Sequence, residues 1–304
     1  MAAPTAVRAR ALTKRYGQRA AVHGLDFEIP TGVIAGFVGP NGSGKTTTIR
    51  MLLALVAPTS GTAEVLGVPI NQPDGYLPRV GALIESPAFY WWLNGRRNLE
   101  VLAALDGTPR ERVDEVLHLV ELEDRAEDRV LGYSLGMKQR LAVASALLAR
   151  PDLLILDEPA NGLDPAGIQE MRRLLLRLRD SGVTVFISSH ILAELEQIAD
   201  WILVLKEGRL AFVGTKDAFL QRRQTALVLV PERAEQLEDL RTLLKSDGYD
   251  ASREDGRVRL DAFTGAAAAV NRKAMDAGIA LEEIRRIRSN LEDTFLAITG
   301  DERE

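Results

Sequence analysis

The 304-residue sequence contains no cysteine. That excludes disulfides, iron–sulfur clusters and thiolate zinc sites, and it agrees with a cytoplasmic protein. Long apolar runs are also missing. Nothing approaches the roughly 18 uninterrupted apolar residues of a membrane span, so the chain is expected not to cross a bilayer, and another chain would supply any span. Met1 to Arg10 lack an apolar h-region, so no signal peptide is expected. Excess positive charge is absent too. With 38 Lys and Arg against 43 Asp and Glu the net charge is −5, which gives no electrostatic case for a nucleic-acid partner. What remains is 46% hydrophobic and 27% charged, ordinary for a globular chain. The length suggests about two domains.

The first half alternates strand and helix signals. Ala6–Tyr16 and Val22–Ile29 read as strands, the second alternating like a half-buried antiparallel one. Val33–Val38 reads as a buried strand, followed by a helix over Lys45–Leu55, and further strands at Thr62–Leu66 and Val80–Ile84. The character then turns helical over about residues 88–150. Thr108-Pro109-Arg110-Glu111 predicts a helix start, with an N-cap, Pro at N1 and Glu at N3, and a second helix is predicted over Gly136–Ala149. Strand and helix alternation resumes at Leu153–Asp157, with Asp164-Pro165 capping a helix to Asp180, then a strand at Val183–Ser188. Trp201–Lys206 and Arg209–Gly214 form a hairpin pattern around Glu207-Gly208. From about 224 the order becomes βαββαβ with a closing helix at Leu291–Thr299, the pattern of a small ferredoxin-like domain.

Chemistry concentrates in one stretch. Gly39-Pro40-Asn41-Gly42-Ser43-Gly44-Lys45-Thr46 is a complete G-x-x-x-x-G-K-S/T phosphate-binding loop, with a strand before it and a helix after. Glycines let successive N–H groups turn inward around a polyphosphate, and the helix N-terminus aims unpaired N–H groups at the same anion. Lys45 supplies charge to the β- and γ-phosphates, and Thr46 offers a hydroxyl to Mg²⁺. The second element is Leu153-Leu154-Ile155-Leu156-Asp157-Glu158. Four apolar residues make a buried parallel strand, and two carboxylates emerge at its carboxyl end, where open α/β sheets bind ligands. Asp157 is placed to hold Mg²⁺ and Glu158 to act on the water that attacks the γ-phosphate. Ser134, before Leu135-Gly136-Met137, is either an ordinary helix cap or the start of an anion-facing helix. His190, after Ser188-Ser189, is either structural or a phosphate sensor at the same sheet edge.

Together these residues resemble the nucleotide-binding subunits of ABC transporters over residues 6 to about 220. Gly39–Thr46 stands at Walker A, Leu153–Asp157 at Walker B, Glu158 at the catalytic glutamate and His190 at the switch histidine. Asn161-Gly162-Leu163-Asp164 matches the D-loop, and Tyr16 aligns with the aromatic residue that stacks on adenine. Tyr133-Ser134-Leu135-Gly136-Met137 occupies the signature position, with Leu135 and Met137 replacing the usual Gly and Gln. The resemblance implies an α/β P-loop fold with a helical insertion (residues 1–222), then a ferredoxin-like accessory domain (223–304). It implies ATP and Mg²⁺ as ligands. The ATP set comprises Tyr16, Gly39–Thr46, Thr47, Glu85, Ser134, Gly136 and Asp164; the metal set is Thr46, Asp157 and Glu85; Glu158, His190 and Lys45 are catalytic. It implies a head-to-tail homodimer with ATP between Walker A of one copy and Ser134 and Gly136 of the other, working with a separate permease at the cytoplasmic face of the membrane.

One departure stands out. The family's Q-loop glutamine falls at Glu85, an anion near Mg²⁺ and the γ-phosphate that can still coordinate metal through oxygen. Two of the three tryptophans follow at once, Trp91 and Trp92, either as packing or as a surface for a permease helix. The segment Gly81–Tyr90 and the tail Ser289–Gly300 resemble the ATPases of bacitracin- and daunorubicin-type exporters, which points to export of a drug, antibiotic or lipid-like compound. A soluble ABC-type ATPase without a permease is the alternative. A P-loop kinase would need neither a signature helix nor a switch histidine.

Overall fold

In the computed structural model, residues 4–84, 89–221, 225–261, 263 and 265–288 are described. The chain divides into two units, residues 1–216 and 217–304. In chain order the first unit contains β1 (Thr5–Tyr16), β2 (Arg19–Pro30), β3 (Ile34–Val38), α1 (Lys45–Leu52), β4 (Ser60–Val65), β5 (Val68–Pro69), β6 (Val80–Leu83), α2 (Gly95–Asp106), α3 (Glu111–Leu119) and α4 (Leu135–Ala146). It continues with β7 (Leu153–Asp157), α5 (Pro165–Asp180), β8 (Thr184–Ser189), α6 (Leu192–Ile198), β9 (Trp201–Lys206) and β10 (Arg209–Thr215), and α7 (Lys216–Gln221) begins at its last residue.

Two sheets organise this unit. One is antiparallel, in the order β2-β1-β4-β5, and the other runs β10-β9-β3-β8-β7-β6. In the second sheet β6, β7, β8, β3 and β9 are mutually parallel, and only β10 returns antiparallel to β9. The chemistry of the strands explains the difference. β3 and β8 are buried at every position, as strands covered on both faces must be. β2 alternates from Leu25 through Phe27 to Ile29, with one face on the core. The core beneath joins Val7, Leu12 and Phe27 of the antiparallel sheet to Ile49 and Met51 of α1 and to Phe37, Ile155 and Phe186 of the parallel one. The Phe37 and Phe186 rings stack at 5.3 Å between centroids. Helix α1 therefore lies in the interior, which fixes the loop that leads into it.

The helix bounds differ in places from the pattern read in the sequence: α1 stops at Leu52 and α4 spans Leu135–Ala146. The helix predicted from Thr108 begins as α3 only at Glu111. Its first turn is tightened instead, since Arg112 N–H donates to Pro109 O (3.0 Å) and Val113 N–H to Arg110 O (2.9 Å). Helix α2, for which no start is predicted from the sequence, is capped by Asn94, whose side-chain oxygen accepts from Arg97 N–H at 2.7 Å.

The second unit contains β11 (Thr225–Pro231), α8 (Leu237–Ser246), β12 (Ala251–Glu254), β13 (Arg257–Leu260), α9 (Ala267–Asp276) and β14 (Leu281–Arg288). Its sheet is antiparallel in the order β12-β13-β11-β14, the topology that the βαββαβ pattern specifies. Leu240 and Leu244 of α8 and Val270 and Ala274 of α9 pack against Leu227, Leu229, Val258 and Leu260. The helix expected at Leu291–Thr299 lies outside the described residues.

Tyr76 ties the connection after β5 to α1. Its ring is fully buried and its hydroxyl donates to Leu52 O, the last carbonyl of α1, at 2.9 Å. Burial pushes its phenol above the ordinary range, which keeps the donor protonated. Tyr76→Phe leaves that carbonyl without its partner. The expected cost is about 1–2 kcal/mol, read as a lowering of the unfolding midpoint by about 2–4 °C per kcal/mol in a thermal melt.

Candidate active site

Three adjacent strands deliver the site. In the parallel register Val38 lies beside Ser189 and Asp157 beside Ser188. The loop after β3, the turn after β8 and the two carboxylates after β7 thus emerge at one edge, at the carboxyl ends of the strands. Leu83 of β6 pairs with Leu156 at the same edge, two residues before position 85.

The phosphate loop is held by close backbone approach. A Cβ at Gly39 would lie 2.3 Å from Leu205 O and 2.6 Å from Ser43 Oγ. At Gly44, where φ is +107°, it would lie 2.6 Å from Ala21 O. Both positions therefore require glycine. The β9–β10 turn braces the loop from outside: Gly208 N–H donates to Ser43 O at 2.9 Å, and Gly208 O accepts from His23 N–H at 2.8 Å. Two features fit a phosphate. Helix α1 starts at Gly44 with no side-chain cap, and the Ser43 hydroxyl is buried without a hydrogen-bond partner. Unpaired donors at a helix N-terminus are what an anion satisfies.

Lys45 is only 6% exposed. Its Nζ donates to Gly39 O (2.7 Å) and lies 3.4 Å from Pro40 O and 3.4 Å from Glu158 Oε1. The contact with Glu158 is charge attraction, since Oε1 is buried and makes no hydrogen bond. Glu158 takes a left-handed backbone, φ +52°, at a strain of order 1–2 kcal/mol. Its N–H donates to Ser188 Oγ at 3.0 Å, and its Oε2 lies 2.7 Å from His190 Nδ1 and accepts from His190 N–H at 3.3 Å. Asp157 is engaged at both oxygens, by Thr46 Oγ1 at 2.7 Å and by Ser188 Oγ. A hydroxyl beside a carboxylate at the foot of a phosphate loop is a hard-oxygen donor set, the kind that suits Mg²⁺. Among the described residues no cluster of three or more His, Asp or Glu forms a separate metal site.

Lys45, Thr46, Asp157, Glu158 and His190 are thus drawn into one cluster. Other predicted residues stand apart from it. Ser134 caps α4, accepting from Met137 N–H at 3.2 Å. Gly136 lies near Leu163, and Leu135 closes on Gly162, so the signature segment packs beside the Asn161–Asp164 turn. Asp164 caps α5 through Gly167 N–H at 2.9 Å. Tyr16 is half exposed and lines a cleft with Arg19, His23, Gly42, Thr47 and Gly208, so this cleft continues from the phosphate loop to the aromatic ring. Glu85 lies outside the described residues. Trp91 and Trp92 are 44% and 67% exposed, and Tyr90 is 47% exposed beside them.

The motif reading assigned no role to Ser188, although its hydroxyl joins Asp157 to the Glu158 backbone. The Ser-Ser-His run marked its place, but only the strand register gives its contacts. Glu194 had no signal at all. It lines a small cavity with Glu158, His190 and Arg172, and its Oε1 is buried without a hydrogen-bond partner. Burial pushes its carboxyl up, while attraction to His190 and Arg172 opposes the shift.

The loop, the paired carboxylates and the histidine define a P-loop nucleoside triphosphatase. The ABC transporter family model matches residues 22–161. The chain is 40% identical to the bacitracin transport ATP-binding protein BcrA of Bacillus licheniformis, covering 97% of this chain and 98% of that one. It is 35% identical to the daunorubicin resistance ATP-binding protein DrrA3 of Streptomyces coeruleorubidus, over 99% and 98% of the two. A solved ATP-binding subunit of an ABC transporter superposes with a TM-score of 0.64 at 28% identity, covering 72% of this chain and 93% of that one. The chain belongs to the ABC transporter ATPases, which bind ATP and hydrolyse it to drive transport. Among the described residues no helix is long and apolar enough to cross a membrane.

The steric frame of the loop makes a graded prediction. Gly39→Ala places a methyl against Leu205 O and should weaken binding of a fluorescent ATP analogue about tenfold or more, equivalent to about 1.4 kcal/mol. At Gly42 nothing lies within 4 Å. Gly42→Ala should therefore cost only the left-handed backbone strain, about 1–2 kcal/mol, expressed mainly as lower thermal stability.

Proposed function

We propose that two copies of this chain close head to tail over two ATP molecules and energise a separate membrane-spanning permease that exports an antibiotic or drug. The observation that carries this reading is a division within one chain. The phosphate loop, Asp157, Glu158 and His190 form one cluster, while Ser134 caps α4 and Gly136 lies beside Leu163 of the Asn161–Asp164 turn, outside the hydrogen bonds and ion pair that join the cluster. Each copy thus supplies half of a site, and a second copy completes it. The names of the relatives, in bacitracin transport and daunorubicin resistance, support the class of cargo.

In this site the loop N–H groups and the α1 N-terminus receive the β- and γ-phosphates, and the Tyr16 ring receives the base. Lys45 now spends its charge on two backbone carbonyls and Glu158. A triphosphate in the loop competes for that charge and releases Glu158 Oε1. Thr46 and Asp157 would hold Mg²⁺, which neutralises charge building on the phosphates when bound. Glu158 accepts the proton of the attacking water, and His190, positioned through Nδ1 by Glu158, orients that carboxylate. Ser134 and Gly136 of the second copy face the γ-phosphate from the other side.

The permease would dock where Tyr90, Trp91 and Trp92 stand exposed beside Leu131, itself 71% exposed. Leu131 N–H donates to Trp91 O at 3.1 Å, which holds the patch together. Large exposed aromatic patches mark partner surfaces. Docking there would bring the chain to the cytoplasmic face of the membrane.

Glu158→Gln should lower the hydrolysis rate by about 10²–10⁴-fold while ATP still binds, and light scattering should find an ATP-dependent dimer. A strictly monomeric variant in saturating ATP would exclude the sandwich. At the coupling position, Glu85→Gln should keep ATP binding and a substantial hydrolysis rate, because either side chain offers an oxygen to the metal. Complete loss of nucleotide binding would refute a metal-linked role for Glu85.

A further inference from the structure

Two arginines lock α3 and α4 together reciprocally. Arg112 of α3 donates through Nη2 to Leu147 O at 2.7 Å and through Nε to Leu148 O at 3.3 Å, the carbonyls that follow α4. Arg140 of α4 donates through Nη1 to Val120 O at 3.0 Å and Glu121 O at 3.2 Å, the carbonyls that follow α3. The two side chains are only 10% and 13% exposed. Carbonyls at a helix C-terminus lack intrahelical partners and carry partial negative charge, so a buried guanidinium satisfies both needs. Arg112 is braced in turn by Glu115 at 2.8 Å, and Glu115 also accepts from Arg150 at 2.8 and 3.1 Å. Sliding or tilting one helix alone would break these charge-assisted bonds, so they hold the pair together, and Arg140 with Glu170 (3.4 Å) and Arg177 with Leu119 O (3.2 Å) tie the same pair to α5.

That body rests on the parallel sheet through bare backbone. A Cβ at Gly81 of β6 would lie 2.1 Å from Ala146 O, the last residue of α4, and 3.1 Å from Leu154 Cδ1. At this point the α4 carbonyl meets the β6 backbone with no room for a side chain at position 81. Helix α4 is 12 residues long, about 18 Å at the usual rise, with Ser134 at its far end. The seat is on β6, which ends at Leu83 beside Leu156, at the edge where the site lies.

We propose that the Gly81 seat and the Arg112–Arg140 lock set the height at which Ser134 and Gly136 meet a second copy, which makes Arg112 a positioning residue for the composite site. The proposal rests on the head-to-tail reading above. It also ties the height of Ser134 to β6, since a shift of β6 at Gly81 is passed along α4 from Ala146 to Ser134.

The test uses the full-length chain with Glu158→Gln as parent, and adds Arg112→Gln, Arg112→Lys or Gly81→Ala. Binding of a fluorescent ATP analogue by the dilute chain should match the parent in all three. ATP-dependent dimer affinity, followed by sedimentation, should fall about tenfold or more in Arg112→Gln and Gly81→Ala, as misplacement of about 1 Å does at other preorganised sites. Arg112→Lys, which keeps the charge and one donor, should recover part of the loss. An unchanged dimer affinity in folded Arg112→Gln or Gly81→Ala overturns the proposal, as does a parallel loss of nucleotide binding, which would put the defect at the phosphate loop. If Arg112→Gln does not fold, Gly81→Ala and Arg112→Lys decide. A parent that stays monomeric in ATP would refute the sandwich instead. The seat is then judged by a spin-label distance between cysteines placed at the exposed Leu55 and Leu131 of this cysteine-free chain. A distance shifted or broadened by Gly81→Ala supports the seat, and one identical to the parent overturns it.

Discussion

The register of β7, β8 and β3 is the constraint on which the site depends. Asp157 opposite Ser188, and Ser189 opposite Val38, set three chain segments at one level of the sheet. A slip of one residue would turn Asp157 or Ser188 to the other face of the sheet and separate the two. The register is held by burial. Every residue of β3 and β8 and the four apolar residues of β7 are inside, so a shift would have to move the whole packed layer. The hydroxyl of Ser188 then does at short range what the sheet does at long range, joining Asp157 to the backbone of Glu158.

On that frame sits a cluster of charges in partial burial. Lys45 is nearly buried, and its countercharge, Glu158, is shared with His190. Desolvating such groups is expensive and their mutual attraction offsets only part of the cost. The arrangement is a contact network that a polyphosphate can reorganise, because the incoming anion offers Lys45 a better partner than two carbonyls and a distant carboxylate oxygen. Glu158 in a left-handed conformation belongs to the same picture, since strained backbone persists where surrounding contacts over-determine it. Here Ser188, Asn161 and His190 all bond to Glu158, Asn161 through its own N–H to Glu158 O at 3.1 Å.

The helices between β6 and β7 form a second part of the unit. They carry Ser134 at one end of α4 and an exposed aromatic group at Tyr90–Trp92, and they contact the sheet through Gly81. Steric closeness at Gly81 and reciprocal capping by Arg112 and Arg140 make this body stiff. A stiff body transmits displacement from one end to the other where a soft one would absorb it. The second unit has its own core, with α8 and α9 on one face of a four-stranded sheet.

The sequence by itself determined the phosphate loop, the carboxylate pair, the alternation of strands and helices, and the βαββαβ pattern of the second unit. These signals are local: glycine and lysine at fixed spacing, apolar runs of strand length, and capping residues beside helices. Element ends were less legible, as at α3, where a tightened first turn displaced the start from Thr108 to Glu111. Tertiary structure alone decided the rest. Lys45 and Glu158 are far apart in the chain, and only the strand order β3-β8-β7 brings them within 3.4 Å. Ser188, Gly208, Gly81 and Arg112 gain their roles from backbone groups of distant segments. Carbonyl and amide partners are the same at every residue, so no residue-type pattern in a sequence can reveal which ones a fold will bring together.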